Sequence, residues 1–196
     1  MLDLGFVSAI LADDDLNGVL KFASENRFKC VEVMCWPTGN ADARRYAGVT
    51  HIDVDNLNVE HVQSLTAQHG VYVSGLGYYP NPLDPNPEQA EFYREHIKKI
   101  IRAAAKLGLP VVNTFIGRNP SLSVRDNLKL VAEHWPAIIR EAEACNVKIG
   151  IENCPMWFTD DEWPGGKNLM TTPAIWDRVF ELLPSPFWAS TTTPAI

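Results

Sequence analysis

Positive charge is scarce in this chain: 17 Lys and Arg stand against 24 Asp and Glu, a formal net charge of −7 over 196 residues. Affinity for a phosphate backbone rests largely on clustered Lys and Arg. No basic stripe occurs, so a nucleic-acid partner is argued against. Cysteine is equally unhelpful to a metal or disulfide reading. Cys30, Cys35, Cys145 and Cys154 show no CxxC or other zinc-ligand spacing. The opening Met1-Leu2-Asp3-Leu4-Gly5 lacks the positive start of a signal peptide, so a reduced, cytoplasmic protein is expected. No apolar run approaches the roughly 18 residues that span a bilayer, and no membrane contact is expected. Glycine fingerprints of the GxGxxG or GxxxxGK type follow no strand-like run, which removes the main support for a nucleotide-binding sheet.

What is there is one sizeable core, 46% hydrophobic against 21% charged, laid out as strand-like runs alternating with helix-like ones. Residues 4–11 read as a strand, and Asp13, Asp14 and Asp15 can cap a helix carrying Leu16, Val19, Leu20 and Ala23. Residues 30–35 are a second strand; a polar loop over 38–58 leads to a helix over about 59–69, stopped by Gly70. Residues 71–79 form a third strand. Asn86 then caps a helix opened by Pro87, with Tyr93, Ile97, Ile100, Ile101 and Ala104 as its buried stripe. Residues 111–117 are a fourth strand, followed by a helix over about 123–145 that Pro136 is expected to bend. The fifth strand, KIGIE, ends at Glu152; after a long loop, Thr172 and Pro173 open a helix carrying Trp176, Val179, Phe180 and Leu183. Short returns to each strand and long loops after each strand predict an α/β fold, a parallel (β/α) barrel of TIM type. A whole barrel takes about 250 residues, so this one is expected to be incomplete, with about five and a half of eight βα units.

Such folds build their sites where strands end at their carboxyl side, and Glu152 falls there, just before the chain turns at Pro155. A carboxylate so placed can hold a metal or move a proton; the plain alternative is a buried, paired carboxylate. Glu32, inside the second strand, could face the barrel mouth or be a structural polar residue. Asn113, Thr114 and Arg118 end the fourth strand and could hydrogen-bond the hydroxyl or phosphate groups of a substrate, or merely cap a loop. Trp36, Tyr78, Tyr79 and Trp157 could wall the C–H face of a sugar, or simply pack. His51, His61, His69, His96 and His134 fall in a loop or on helices, where a solvated surface role is expected of them.

In KIGIENCPM (148–156), VSGLGYYPNPLDP (73–85) and VVNTFIGR (111–118), the chain resembles the sugar phosphate isomerase/epimerase family, the xylose isomerase-like TIM barrels, over about residues 4–187. The resemblance implies that Glu152 is a ligand of a divalent metal (Mn, Mg, Co or Zn) and, as in the family's epimerases, an acid/base group. It further implies Asp and His ligands in a DPSH-like segment ending a sixth strand, then His and Glu on later strands. None of these is present in the sequence. The implied activity is isomerisation or epimerisation of a sugar, sugar phosphate or related ketone through an enediol-like intermediate. The expected partner is that small molecule, with association of copies over an open strand edge left open. Endonuclease IV, a barrel relative with a histidine-rich zinc cluster, is a distant alternative, because the matching strand ends carry Tyr79 and Asn113.

The resemblance ends at a specific place. Codons permitted for Trp188 to Ile196, read two nucleotides later, translate as Gly-Leu-Asn-Tyr-Asp-Pro-Ser-His, the segment the family expects there. A frameshift after Phe187 is therefore expected, with 1–187 a partial barrel and 188–196 an aberrant, irregular tail. The other class of function follows from this: a non-catalytic fragment or pseudoenzyme. Resequencing the gene across the Phe187 codon decides it.

Overall fold

The computed structural model describes residues 3–39, 48–155 and 166–191. Six strands form one sheet whose order follows the chain: β1 (Gly5–Val7), β2 (Cys30–Met34), β3 (Tyr72–Gly77), β4 (Val111–Thr114), β5 (Lys148–Glu152) and β6 (Trp188–Thr191). Helices α1 (Leu16–Glu25), α2 (Val59–His69), α3 (Pro87–Leu107), α4 (Val124–Cys145) and α5 (Pro173–Leu182) fall between successive strands. This is the expected parallel α/β barrel architecture, incomplete. The chain divides into two compact units, Met1–Tyr78 with Lys99–Val112, and Tyr79–Lys98 with Asn113–Ile196.

In the first unit, β1 pairs with β2 and β2 with β3, all parallel. The first strand is shorter than its apolar run suggests. Ser8–Leu11 turn into a single 3₁₀ turn, because the Ser8 hydroxyl reaches across to accept the N–H of Met34 at 2.9 Å. Gly5 is required where β1 meets β2, since a Cβ there would stand 2.5 Å from Cys30 Sγ and 2.6 Å from Cys30 O. Among the three aspartates, Asp15 is the cap of α1, accepting Gly18 N–H at 2.8 Å, worth about 1 kcal/mol. Val19, Leu20 and Ala23 of α1 are fully buried, and Phe6 packs edge to face on Phe22 and Phe28, which stack on each other.

In the second unit, β5 and β6 pair in parallel, Ile149 opposite Trp188 and Glu152 opposite Thr191. The expectation of irregular chain from Trp188 is thus corrected for its first four residues. The Trp188 indole lies 5.7 Å from Trp135 and 5.9 Å from Phe180 and donates to Leu183 O at 2.8 Å. This anchor sets the chain beside β5. Helix α4 runs through Pro136 as one element, its Ser123 cap accepting Asp126 N–H at 3.1 Å. Thr172 stands at the cap position of α5, but its side chain makes no capping bond; its carbonyl accepts from Ile175 and Trp176. Phe180, expected in the buried stripe, is 37% exposed, at the rim of the Trp188 contact.

Candidate functional site

Strand alternation puts Lys148, Gly150 and Glu152 on one face of β5 and the buried Ile149 and Ile151 on the other. Glu152 is the last residue of that strand and is half-buried, as the sequence predicts. The turn after it is gripped from afar. The amide of Asn168, 1% exposed, donates to Glu152 O at 2.8 Å and to Cys154 O at 2.6 Å.

Beside β5 in the sheet, β4 ends in Asn113 and Thr114, both buried. Thr114 Oγ1 is enclosed and makes no hydrogen bond. The backbone beyond is tied at each residue. Ile116 O accepts the Trp135 indole N–H at 3.0 Å, and Gly117 O accepts Leu169 N–H at 3.2 Å. Arg118 is held at both ends of its peptide unit: its N–H donates to Asn81 Oδ1 and its carbonyl accepts from Asn81 Nδ2, each at 2.8 Å. Asn119 is held in the same two-way fashion by Asn127, at 2.7 and 3.0 Å. Gly117 has φ +82°, and a Cβ there would meet Asn81 Oδ1 at 2.7 Å and Pro82 Cδ at 2.8 Å, so glycine is what lets the two loops approach. Arg94, 9% exposed, secures the Asn81 loop by donating to Pro82 O at 2.8 Å. Its partner Glu91 at 2.6 Å is held below the usual carboxylate range by that bond. Tyr79 is half-buried against Phe115, centroids 5.0 Å apart.

The second unit therefore brings together five predicted residues, Tyr79, Asn113, Thr114, Arg118 and Glu152, on the ends of strands and the loops after them. The other predicted residues differ. Trp36 and Tyr78 belong to the first unit, where both are buried and the two rings meet edge to face at 4.8 Å. Glu32, half-buried, follows a shift in register between β2 and β3. Trp157 lies outside the described residues. Asn81, Asn127 and Asn168 were not foreseen, since an asparagine in a loop or a helix's first turn carries no local sign that its amide is buried.

The histidine expectation needs two corrections. His51 is a half-buried link: Ser8 Oγ lies 2.9 Å from its Nδ1 and Leu11 O lies 3.1 Å from its Nε2. Donation by Nε2 to the carbonyl leaves Nδ1 to accept from the serine, which fixes the neutral tautomer, and burial holds its pKa below 6.5. His96 is 3% exposed and stacks on Phe92. In the first unit the Cys35 thiol is pushed up by burial and then by the charges of Glu32 and Asp53, so it stays protonated and inert. A cleft of about 390 Å³ between the starts of α1 and α2, lined by Asp15, His51, Asp53 and His61 among others, takes in none of the predicted residues.

The metal implied by the family resemblance does not fit the residues described. Among them, no group of three or more His, Cys, Asp or Glu is close enough to hold an ion, and a catalytic site commonly takes three protein ligands. Glu152 is the half-buried carboxylate at the end of β5, next to β4 in the sheet.

A parallel α/β barrel with a carboxylate on the end of its fifth strand defines the class. The family model described as xylose isomerase-like TIM barrel matches residues 20–188, and the chain belongs to that family. No curated protein matches it. Among solved structures, a 3-keto-D-glucoside 4-epimerase from E. coli is 15% identical with TM-score 0.69, over 97% of this chain and 67% of its own. A D-psicose 3-epimerase from Clostridium cellulolyticum H10, solved with D-tagatose, is 11% identical with TM-score 0.69, over 96% and 62%. A probable 3-DHS dehydratase from Bacillus anthracis is 11% identical with TM-score 0.66, over 96% and 62%. The chain thus spans less than two thirds of the latter two. At these identities the likeness establishes the fold.

Proposed function

We propose that the protein is an isomerase or epimerase of a sugar, sugar phosphate or related ketone, with Glu152 as its acid/base group. The observation that carries this reading is a single half-buried carboxylate at the end of the fifth parallel strand, on a backbone tied down by Asn168, in a xylose isomerase-like barrel. The printed names of two structural neighbours, a 3-keto-D-glucoside 4-epimerase and a D-psicose 3-epimerase, support the substrate class. Glu152 takes the proton from the carbon next to the substrate carbonyl, leaving an enediolate-like species; in isomerisation it returns the proton to the neighbouring carbon on the same face, and in epimerisation a second acid/base carboxylate, outside the described residues, delivers a proton to the opposite face. Thr114 Oγ1, enclosed without a hydrogen bond, would bond a substrate hydroxyl, with Asn113 and Arg118 as further candidates to bind hydroxyl or anionic substituents. Positioned general-base catalysis of this kind contributes about 10²–10⁴-fold.

A divalent metal (Mn, Mg, Co or Zn) remains part of the family expectation; with Glu152 as the one candidate ligand, no step is routed through it. A second reading, a non-catalytic relative, draws on that same missing ligand group. Incubation with ketoses in D₂O separates the two. Deuterium entering beside the carbonyl, lost in Glu152→Gln with the fold intact, supports the enzyme. Exchange that survives Glu152→Gln removes Glu152 from the mechanism, and no exchange with any ketose leaves the non-catalytic reading.

A further inference from the structure

The residue that sets the direction of Glu152 lies 16 positions downstream. The side-chain nitrogen of Asn168 carries two hydrogens, and both are used on carbonyls of the turn that leaves β5, Glu152 O at 2.8 Å and Cys154 O at 2.6 Å. Fixing the carbonyl of Glu152 fixes the plane of the peptide that follows it. The pairing of Ile151 with Ser190 and of Glu152 with Thr191 fixes the backbone that precedes it. With both sides of the Cα set, the Cα–Cβ direction has no freedom left.

The grip is itself anchored. Leu169 and Met170, next to Asn168, are 1% and 2% exposed, and Leu169 N–H donates to Gly117 O at 3.2 Å. Gly117 and Arg118 are held in turn by the doubly bonded Asn81. Three loops, after β3, β4 and β5, are thereby linked through backbone groups to the turn of the carboxylate. Stability alone does not account for an asparagine here. Its Oδ1 is enclosed with no hydrogen bond, a destabilising arrangement that an apolar residue would avoid.

We infer that Asn168 is a positioning residue for Glu152, acting through the peptide groups of residues 152–154; the inference rests on the proposed acid/base role of Glu152. Asn168→Asp keeps the shape but turns an oxygen toward two carbonyl oxygens, and Asn168→Ala removes the grip outright. In ketose exchange, each variant should lower kcat by about a hundredfold, the scale of a misplaced reacting group, with KM nearly unchanged because no contact to substrate is lost. The carboxyl ¹³C resonance of Glu152, assigned by its absence in Glu152→Gln, should shift or broaden in both variants while the rest of the spectrum is preserved. Unchanged kcat in a folded variant overturns the inference, even while loss of activity in Glu152→Gln sustains the acid/base reading. Should the wild-type protein exchange no ketose, the acid/base reading fails, and the ¹³C resonance decides the positioning by itself; an unchanged resonance overturns it. Should neither variant fold, the wild-type amide protons of Asn168 decide: protection from hydrogen exchange supports the grip, and exchange as fast as an exposed amide overturns it.

Discussion

Glu152 and Gly117 illustrate two ways in which single residues matter to this site. Glu152 is placed by a strand end legible in KIGIE, and the contribution proposed for it is chemical. Gly117 contributes by having no side chain, where Asn81 Oδ1 and Pro82 Cδ approach to 2.7 and 2.8 Å of the missing Cβ at φ +82°. Asn81 cannot yield, because its amide is engaged on both sides of Arg118. Gly117→Ala is therefore expected to cost about 2–4 kcal/mol, adding a left-handed backbone to an overpacked contact. Urea denaturation monitored by far-UV circular dichroism checks it; a cost under about 0.5 kcal/mol, the level of an ordinary surface change, contradicts the close approach. Arg94→Met should cost about 1–3 kcal/mol, since Pro82 O would be left buried without its donor. The same denaturation experiment measures it.

At the level of elements, the loops after the strands carry the organisation, and each is fastened by a side chain from elsewhere. The loop between β2 and α2 is held by His51, whose backbone N–H donates to Met34 O at 2.9 Å and whose ring joins Ser8 to Leu11 O. Its pKa lies below 6.5 through burial, so below pH 6.5 the unfolded chain binds the proton before the folded one does. The stabilising contribution is complete above that value and declines as pH falls toward the folded pKa. His134, lowered by burial and then by Arg94, acts in the same direction. Chemical denaturation between pH 8 and pH 5 should show stability falling below 6.5, with a shallower fall in His51→Gln. Equal slopes in the two proteins would discount the histidine link.

Across the whole molecule, sequential strand order makes β6 the next partner of β5, and Trp188 fastens it. The residue stands between Trp135 and Phe180 and bonds Leu183 O, so Trp188→Ala should cost about 2–4 kcal/mol, near the lower range for aromatic truncation because the ring is half-buried. Thermal unfolding by calorimetry measures this, and an unchanged Tm would show that β6 contributes nothing to the fold. The absence of any helix among the described residues long and apolar enough to cross a membrane agrees with the lack of apolar runs in the sequence.

Sequence by itself determined the alternation of strand and helix, because that depends on local periodicity, on stop and start signals such as Asp15, Gly70 and Asn86, and on turn residues near in the chain. It also placed Glu152 at the end of the fifth strand, since a short apolar run and the proline after it mark that boundary. Tertiary structure alone decided how deeply each candidate is buried and what packs around it. Trp36 and Tyr78 read like Tyr79, yet burial of a ring is a property of what packs around it, and the first two bury each other. It alone revealed Asn81 and Asn168 as clamps, because their partners lie 37 and 16 residues away and an amide carries no sign of which carbonyl it will meet. It also turned residues 188–191 into a strand through contacts of Trp188 with side chains that no local pattern relates to it.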